Sequence, residues 1–429
     1  MQNKLIYNII IANILWGFIP VVISGLFDEV SVITIIFFRF FVCGLVFLSI
    51  ALLLILVNNR NPLKEPIPLN IFKELFKKNR EFYNQKFITY FIILGFFGII
   101  LQIIFYFLAL KLTSIAFVLI GFIIANIVIA FYEHGRTEEL SFFKLLYLTT
   151  LAFSIGIIIF VKAQESVNFS ISGLLYMLLF SACITFFHTF VNRDGYSKKE
   201  IKIINKNQYY KLIRLFSKLS IMFLTGIGLM FAFIFILYLI PIQTELTIEI
   251  GRFFAEISNV SILFRSEMLF LNTLGTIAPY IIIFIACVYW NPYNLTYNQW
   301  SSILVVIEPT TALLFGVFLI NEFFPLEFLI ITLFLLTLSI LLRYVHESSV
   351  KVNAFLLLDQ NRGTMSRLPF KLLKFNGIKQ IDVMVGSYDL LLTIKKNSIK
   401  DFYYLIEQLK NLKEVKSIKI LHINKINKV

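Results

Sequence analysis

The chain has 429 residues, 59% of them hydrophobic and only 15% charged, with a formal net charge of +14. A water-soluble core of this length cannot hide so much apolar surface, whereas a bilayer takes up about 20 apolar residues per helix. The composition therefore excludes a soluble globular fold and indicates an all-α polytopic membrane protein. The positive balance reads first as topology rather than as nucleic-acid binding, because cytoplasmic loops collect Lys and Arg.

In chain order, apolar stretches of spanning length fall at residues 5–26, 32–57, 87–108, 113–132 and 143–161. A second set falls at 172–191, 219–240, 269–290, 300–320 and 326–345. No small-residue cleavage site follows the first stretch, which is expected to be a span rather than a removed signal. Ten transmembrane helices in two sets of five imply that the halves enter the membrane in opposite senses, as two inverted five-helix repeats. The expected domains are a first repeat at 1–165, a second at 166–347 with a basic insertion at 192–218, and a tail at 348–429.

Charge orients this arrangement. Arg60, Lys64, Lys73, Lys77, Lys78, Arg80 and Lys86 lie between the second and third stretches. Arg193, Lys198, Lys199, Lys202, Lys206, Lys211, Arg214 and Lys218 lie between or at the edges of the sixth and seventh. With ten spans these loops share one side with both termini, while the other side carries Asp28, Glu29, Lys162 and an acid-leaning loop around Glu249 and Glu256. The positive-inside rule then puts both termini in the cytoplasm of a multi-pass plasma-membrane protein. Residues 69–83 and 209–219 carry apolar groups at helical spacing among lysines and read as interfacial helices on anionic headgroups. Residues 246–264 read as an outer cap; flexible loop is the alternative for all three.

Beyond Arg343 no run is long enough to span. The tail reads as strand 352–358, helix 364–375, strand 378–385, strand 388–395, helix 399–412 and strand 415–423. That is βαββαβ, a small α+β ferredoxin-like order. Gly386 and Ser387 suggest a tight hairpin turn, since Gly supplies the positive φ such turns need.

The ninth stretch is unusual: Glu308 and Pro309 sit near the middle of an otherwise apolar run. A charge at membrane depth is costly and is kept where it meets a cavity or a partner, and Pro309 loosens the helix there. Glu308 would bind a cationic group or carry a proton; the alternative is a kink-stabilising carboxyl. Arg39, inside the second stretch, would hold an anionic group, pair with a carboxylate, or snorkel to the interface. His188, with Thr185 one turn earlier, would relay protons or simply pack. Asn13, Trp16, Gln102, Tyr106, Asn126, Asn272 and Tyr280 supply the polar and aromatic groups that a solute cavity needs, and each would equally serve as helix–helix glue. Cys43, Cys183 and Cys287 have no metal-ligand spacing, and no catalytic motif, metal site or cofactor site is expected. In the tail, Gly386, Ser387 and Asp389 are candidates for ligand contact or, equally, for a capped turn.

Two resemblances sharpen this reading. Trp16, Gly17 and Pro20, Arg39, then Tyr106, Ala109, Leu110, Thr113 and Ser114, and finally Glu308–Pro309, Ala312 and Glu322 make the membrane part resemble the EamA-type drug/metabolite transporters. Ala125 and Asn126 stand where that family has a proline in the fourth span, and the insertion after the sixth is longer. The segment VMVGSYDLLLTI, with Gly386 and Asp389 at a G-x-x-D turn, makes the tail resemble the effector-binding domain of Lrp/AsnC-type regulators. The tenth span takes the place of that family's DNA-binding segment, so no nucleic-acid partner is expected. The resemblances imply a secondary transporter, not an enzyme, for a small solute such as an amino acid. They also imply an amino-acid effector on the tail and a possible homodimer through it. The alternative is a non-transporting membrane receptor or scaffold carrying a sensing or dimerisation domain.

Overall fold

The computed structural model describes residues 2–60, 86–113, 170–191, 209–239, 243–290, 297–320, 352–361, 368–373, 377–396, 399–412 and 414–422, with isolated positions between these stretches. The chain divides into two compact units, Met1–Tyr289 with Leu304–Thr337, and Trp290–Ile303 with Leu338–Val429. Most of the chain is helical. Among the described residues six helices are long and apolar enough to cross a membrane: Leu5–Ser24, Val32–Arg60, Phe87–Leu112, Ile171–Phe190, Tyr209–Tyr238 and Ser266–Tyr289. They coincide with the first, second, third, sixth, seventh and eighth expected spans. The stretches 113–132 and 326–345 are described only at scattered positions, 143–161 only at Gly156, and 69–83 lies outside the described residues.

In the first unit the helices are α1 (Gln2–Gly17), α2 (Ile19–Ser24), α3 (Val32–Arg60), α4 (Phe87–Leu112), α5 (Ile171–Phe190), α6 (Tyr209–Tyr238), α7 (Glu245–Glu256), α8 (Ser266–Tyr289) and α9 (Ile307–Leu319). α3 and α6 lie along one another. Their seam is aromatic, with Phe223 5.1 Å from Phe40 and 5.5 Å from Phe47, ring centre to ring centre. Such pairs add shape-specific attraction that lipid tails do not supply. α4 crosses α6 where Gly95 meets the backbone of Met222 and Gly226 meets that of Gly95.

Residues 209–219, expected to lie at the membrane surface, are instead the opening turns of the 30-residue α6. Their charges are accommodated inside the protein. Arg214 is paired with the fully buried Glu200 at 2.7 Å and rests over Phe87 and Phe91, while Lys218 donates to the Val191 carbonyl. These partners offset part of the desolvation cost that made a surface position the natural expectation.

Residues 246–264, expected to form an outer cap, comprise most of α7 followed by a 3₁₀ turn, Val260–Phe264. Thr244 and Thr247 close a reciprocal cap at its start. Leu246, Glu249, Ile250 and Phe253 form its buried stripe at the three-and-four spacing of an amphipathic helix.

In the second unit the tail has the expected element order: β1 (Val352–Gln360), α10 (Leu368–Leu372), β2 (Ile378–Val383), β3 (Leu390–Lys396), α11 (Ile399–Lys410) and β4 (Val415–His422). The four strands form one antiparallel sheet in the order β2-β3-β1-β4. Alternation explains its core. Ala354, Leu356 and Leu358 of β1 and Leu390, Leu392 and Ile394 of β3 point to one face, where Leu368, Leu372, Phe402, Leu405, Ile406 and Leu409 cover them. The hairpin is wider than a two-residue turn. β2 ends at Val383 and β3 begins at Leu390, and the loop closes through Met384 N–H donating to Asp389 O at 2.8 Å.

Lys416 sits 3.0 Å from Asp359, and its hydrogen bond holds that carboxyl below the ordinary carboxylate range. A depressed folded-state value stabilises above the unfolded value, and the gain is lost as pH falls through the folded one. Lys416→Met is therefore expected to lower the tail's stability slightly at neutral pH, to leave it unchanged in acid below the folded value, and so to flatten the acid limb of its unfolding curve. An acid melting series of the two proteins, followed by circular dichroism, checks this.

Candidate functional site

Two of the helices long and apolar enough to cross a membrane are interrupted near their middles. α4 contains a π turn at Phe96–Leu101 and α8 another at Thr273–Ile277. A π turn misaligns one round of the backbone ladder and recurs at functional positions. In α8 the misalignment is put to use. Thr276 Oγ1 donates to Leu271 O at 2.8 Å, five residues back, and accepts from Arg39 Nε at 2.5 Å. Gly275 O accepts from Arg39 Nη2 at 3.0 Å.

Arg39 is the largest fully buried side chain among the described residues, with 1% of its surface exposed. It does not snorkel. Its guanidinium is held over Phe40 at 5.1 Å and Phe107 at 5.8 Å. Of its three nitrogens, Nε and Nη2 bond the π turn, and Nη1 is buried with no hydrogen-bond partner. Asn272, at the start of the same π turn, has a buried Oδ1 that is also without one. Cys43, one helical turn after Arg39, donates to Asn272 O at 3.6 Å.

Around this arginine the tertiary structure gathers several of the residues expected from sequence. Tyr106, Tyr280 and Glu308 all lie within electrostatic range of the guanidinium. Tyr280 meets Trp16 edge-on at 5.5 Å and Phe223 at 5.2 Å, and Tyr106 lies against Phe180 at 5.0 Å. The helix carrying Glu308 is broken as expected: one segment ends at Leu304 and α9 begins at Ile307. Pro309 thus falls in a first turn, where its missing N–H costs nothing, and Glu308 sits at the positive end of α9. No hydrogen bond from the described residues reaches the Glu308 carboxylate, whose charged neighbour is Arg39.

α1 and α9 touch beside Glu308. A Cβ on Gly17 would lie 1.9 Å from Thr311 Oγ1 and 3.0 Å from Glu308 O. Gly17→Ala is expected to cost about 1–3 kcal/mol through overpacking. Adding Thr311→Ala should restore only part of it, because that change removes Oγ1 but keeps Thr311 Cβ, 2.7 Å from the added methyl. Melting temperatures of the two variants in detergent check the order.

The remaining expected residues stand apart from this cluster or serve locally. Asn13 Nδ2 donates to Ile9 O at 2.8 Å and Thr185 Oγ1 to Ser181 O at 2.7 Å, both within their own helices. Gln102 is half-buried just after the α4 π turn, and His188 is half-buried with its ring against Phe187. Asn126 lies outside the described residues. In the tail, Gly386 adopts a φ of 150°, which favours glycine, and it is exposed, as is Ser387. Asp389 works structurally: its Oδ2 accepts from Gln360 N at 2.8 Å, and its own N–H donates to Leu358 O.

Sequence reasoning left two parts of the site unassigned. Gly275 and Thr276 hold Arg39, and the signal was a run of small and polar residues, Thr273–Ile277, inside an apolar span. The other is the clamp on Glu249, which accepts from Val32 N at 2.6 Å, pairs with Lys111 at 2.6 Å and with Arg252 at 3.3 Å. Ser31 N and the Arg265–Glu29 pair tie the same cap to the connection between α2 and α3.

No family model and no curated protein matches this chain. A solved structure described only as "Crystal structure of protein" aligns with 81% of this chain and 99% of its own, at 14% identity and a TM-score of 0.46.

Proposed function

We infer that the chain is a secondary transporter that carries a small organic solute, such as an amino acid or related metabolite, out of the cell. The observation that carries this reading is the cluster of Arg39, Asn272, Tyr106 and Tyr280 on apolar helices of membrane length, with Glu308 on the shorter apolar helix α9. Charged groups at that depth are expensive and mark solute or ion pathways. Broken helices that present polar groups near the midplane are the usual construction of a transporter site.

The finer architecture in this reading is ten spans in two inverted five-helix halves of EamA type, with both termini in the cytoplasm of the plasma membrane. Two features support it. The π turns fall in α4 and α8, which are the third span of each half, and the helices that lie along one another, α3 and α6, are the second of each. Corresponding features in corresponding spans are what a duplicated half would leave.

For the tail, we read a ferredoxin-like, Lrp/AsnC-type effector domain that binds an amino acid and pairs with a second copy. The βαββαβ order and the sheet order support the fold. The sheet face away from the helices presents half-buried Phe355, Leu357 and Leu391, a surface suited to pairing. Such a domain biases transport only through its different affinity for two transporter states.

Reconstituting the full-length protein in liposomes tests the transport reading. Preloaded vesicles are expected to release at least one compound of a broad amino-acid and metabolite panel faster than empty ones. No release of any of them, under proton or substrate gradients, would overturn it.

A further inference from the structure

The helix α7 has three edges. Leu246, Ile250 and Phe253 are buried against the rest of the unit. Glu245, Glu249, Arg252 and Glu256 recur at helical spacing as a charged edge. The last three of these are tied to the connection between α2 and α3. Glu249 accepts from Val32 N, Arg252 donates to Phe27 O at 3.3 Å and Asp28 O at 3.1 Å, and Glu256 accepts from Ser31 N at 2.8 Å. The third edge is Ile248, Gly251, Phe254 and Ala255, all exposed and none polar. Ile248 keeps 54% of its surface and Phe254 46%. A single exposed apolar residue is ordinary, but a whole helix edge with no polar side chain is a surface suited to being covered.

Its position indicates by what. α7 lies in the chain between α6 and α8, both long and apolar enough to cross a membrane, after the end of one and before the start of the other. The last turns of α6 expose Phe235, Ile236, Tyr238 and Leu239, and Tyr238 meets Phe254 edge-on at 5.3 Å. The apolar edge of α7 therefore continues the exposed apolar surface of α6. Past α7, Val260 and Phe264 are exposed as well, and Leu269 is exposed in the first turn of α8.

We propose that this edge of α7 is a lipid-binding surface, on which the helix lies in the plane of the bilayer at the level of the headgroups and upper acyl chains, beside the end of α6. Lipid is the occupant because the edge runs into the exposed apolar surface of α6 through Tyr238, and a spanning helix meets lipid along such a surface. Interfacial helices usually carry Lys and Arg on their polar edge and draw on anionic headgroups. α7 sets Glu245, Glu249 and Glu256 against Arg252 alone, so apolar burial holds it and zwitterionic lipid suffices. One edge of the helix then rests in lipid while the other holds α3 and α4 through Glu249, so the bilayer surface bears directly on the ends of those two helices.

The experiment uses full-length protein in phosphatidylcholine vesicles. A photo-crosslinking benzophenone amino acid replaces Ile248 or Ala255, and the adducts are identified by mass spectrometry, with the exposed Asp28 as the control position. Lipid adducts at 248 and 255 are expected to exceed those at 28 by about fivefold or more. Replacing a third of the lipid by phosphatidylglycerol should leave that excess unchanged. Wild-type protein gives a second measurement, which needs no substitution. In a nanodisc, hydroxyl radicals should oxidise Phe254 and Phe264 about fivefold more slowly than Phe370, a phenylalanine of the tail that is also exposed. Adducts mainly to protein would show that another chain covers the edge and would overturn the proposal. So would a lipid yield no higher than at position 28, an excess that appears only with phosphatidylglycerol, or oxidation of Phe254 and Phe264 at the rate of Phe370. None of these readouts depends on transport, so the reading of the polar cluster stands or falls separately.

Discussion

Glu249→Ala should lower the stability of the membrane unit by about 3–5 kcal/mol, the usual cost of removing one partner from a buried ion pair. The carboxylate is 1% exposed and serves three donors at once. Val32 N–H belongs to the start of α3, where the helix dipole favours a negative group. Lys111 closes the end of α4, and Arg252 belongs to α7 itself, one turn on. Removing the carboxylate therefore leaves a helix start uncapped and takes from Lys111 its carboxylate and from Arg252 one of two, and it loosens α7 from α3 and α4 together. Glu256→Ala is the comparison. That residue is only partly buried and shares Ser31 N–H and Arg252, so a loss of about 1 kcal/mol is expected. Thermal unfolding of both variants in detergent, followed by size-exclusion after heating, gives the ranking. Equal melting temperatures for Glu249→Ala and the parent would show that the clamp contributes nothing.

Gly95→Ala is expected to disrupt the crossing of α4 and α6, at a cost at the upper end of the usual 1–3 kcal/mol for overpacking or beyond it. The added Cβ would lie 2.1 Å from Met222 O and 2.8 Å from Met222 C and Cα. All three are backbone atoms, so no rotamer change relieves the contact and the helices must separate. Small residues at such points are what let membrane helices approach closely. Gly226→Ala meets Ile100 Cγ1 at 2.9 Å, a side-chain atom that can move, and Gly95 O at 3.1 Å, so a smaller loss follows. Gly228 has open space around its Cβ position, and there alanine should stabilise the helix by up to about 1 kcal/mol. The expected order of melting temperature is Gly228→Ala, parent, Gly226→Ala, Gly95→Ala. A Gly95→Ala protein that melts with Gly228→Ala would refute the close crossing.

What sequence could reveal follows from which forces are local. Membrane-length apolar runs are visible because a bilayer demands length and hydrophobicity segment by segment. Six expected spans accordingly appear as helices within about ten residues of their expected bounds, the start of α6 being the largest difference. That start was hidden because Arg214 and Lys218 look like surface charges until Glu200 and Val191 are seen beside them. The same holds for α7. Its amphipathic stripe was readable, but the Glu249 clamp brings together residues more than 130 apart in the chain.

The tail and the site divide in the same way. Strand alternation in β1 and β3 was plain in the residues, since every second side chain must face the same layer. The neighbour order of the strands and the wide loop at 384–389 came from packing and from the Met384–Asp389 bond. Trp16, Tyr106, Asn272, Tyr280 and Glu308 stood out individually as polar or aromatic groups in apolar surroundings. Arg39 was equally readable as an anchor at the interface. The tertiary structure alone decided that it is buried, that a π turn in α8 holds two of its nitrogens, and that the third is left over. A sequence records which groups are costly to bury, because that cost belongs to each residue. Which of them offset one another depends on distances between distant segments, and those exist only once the helices have packed.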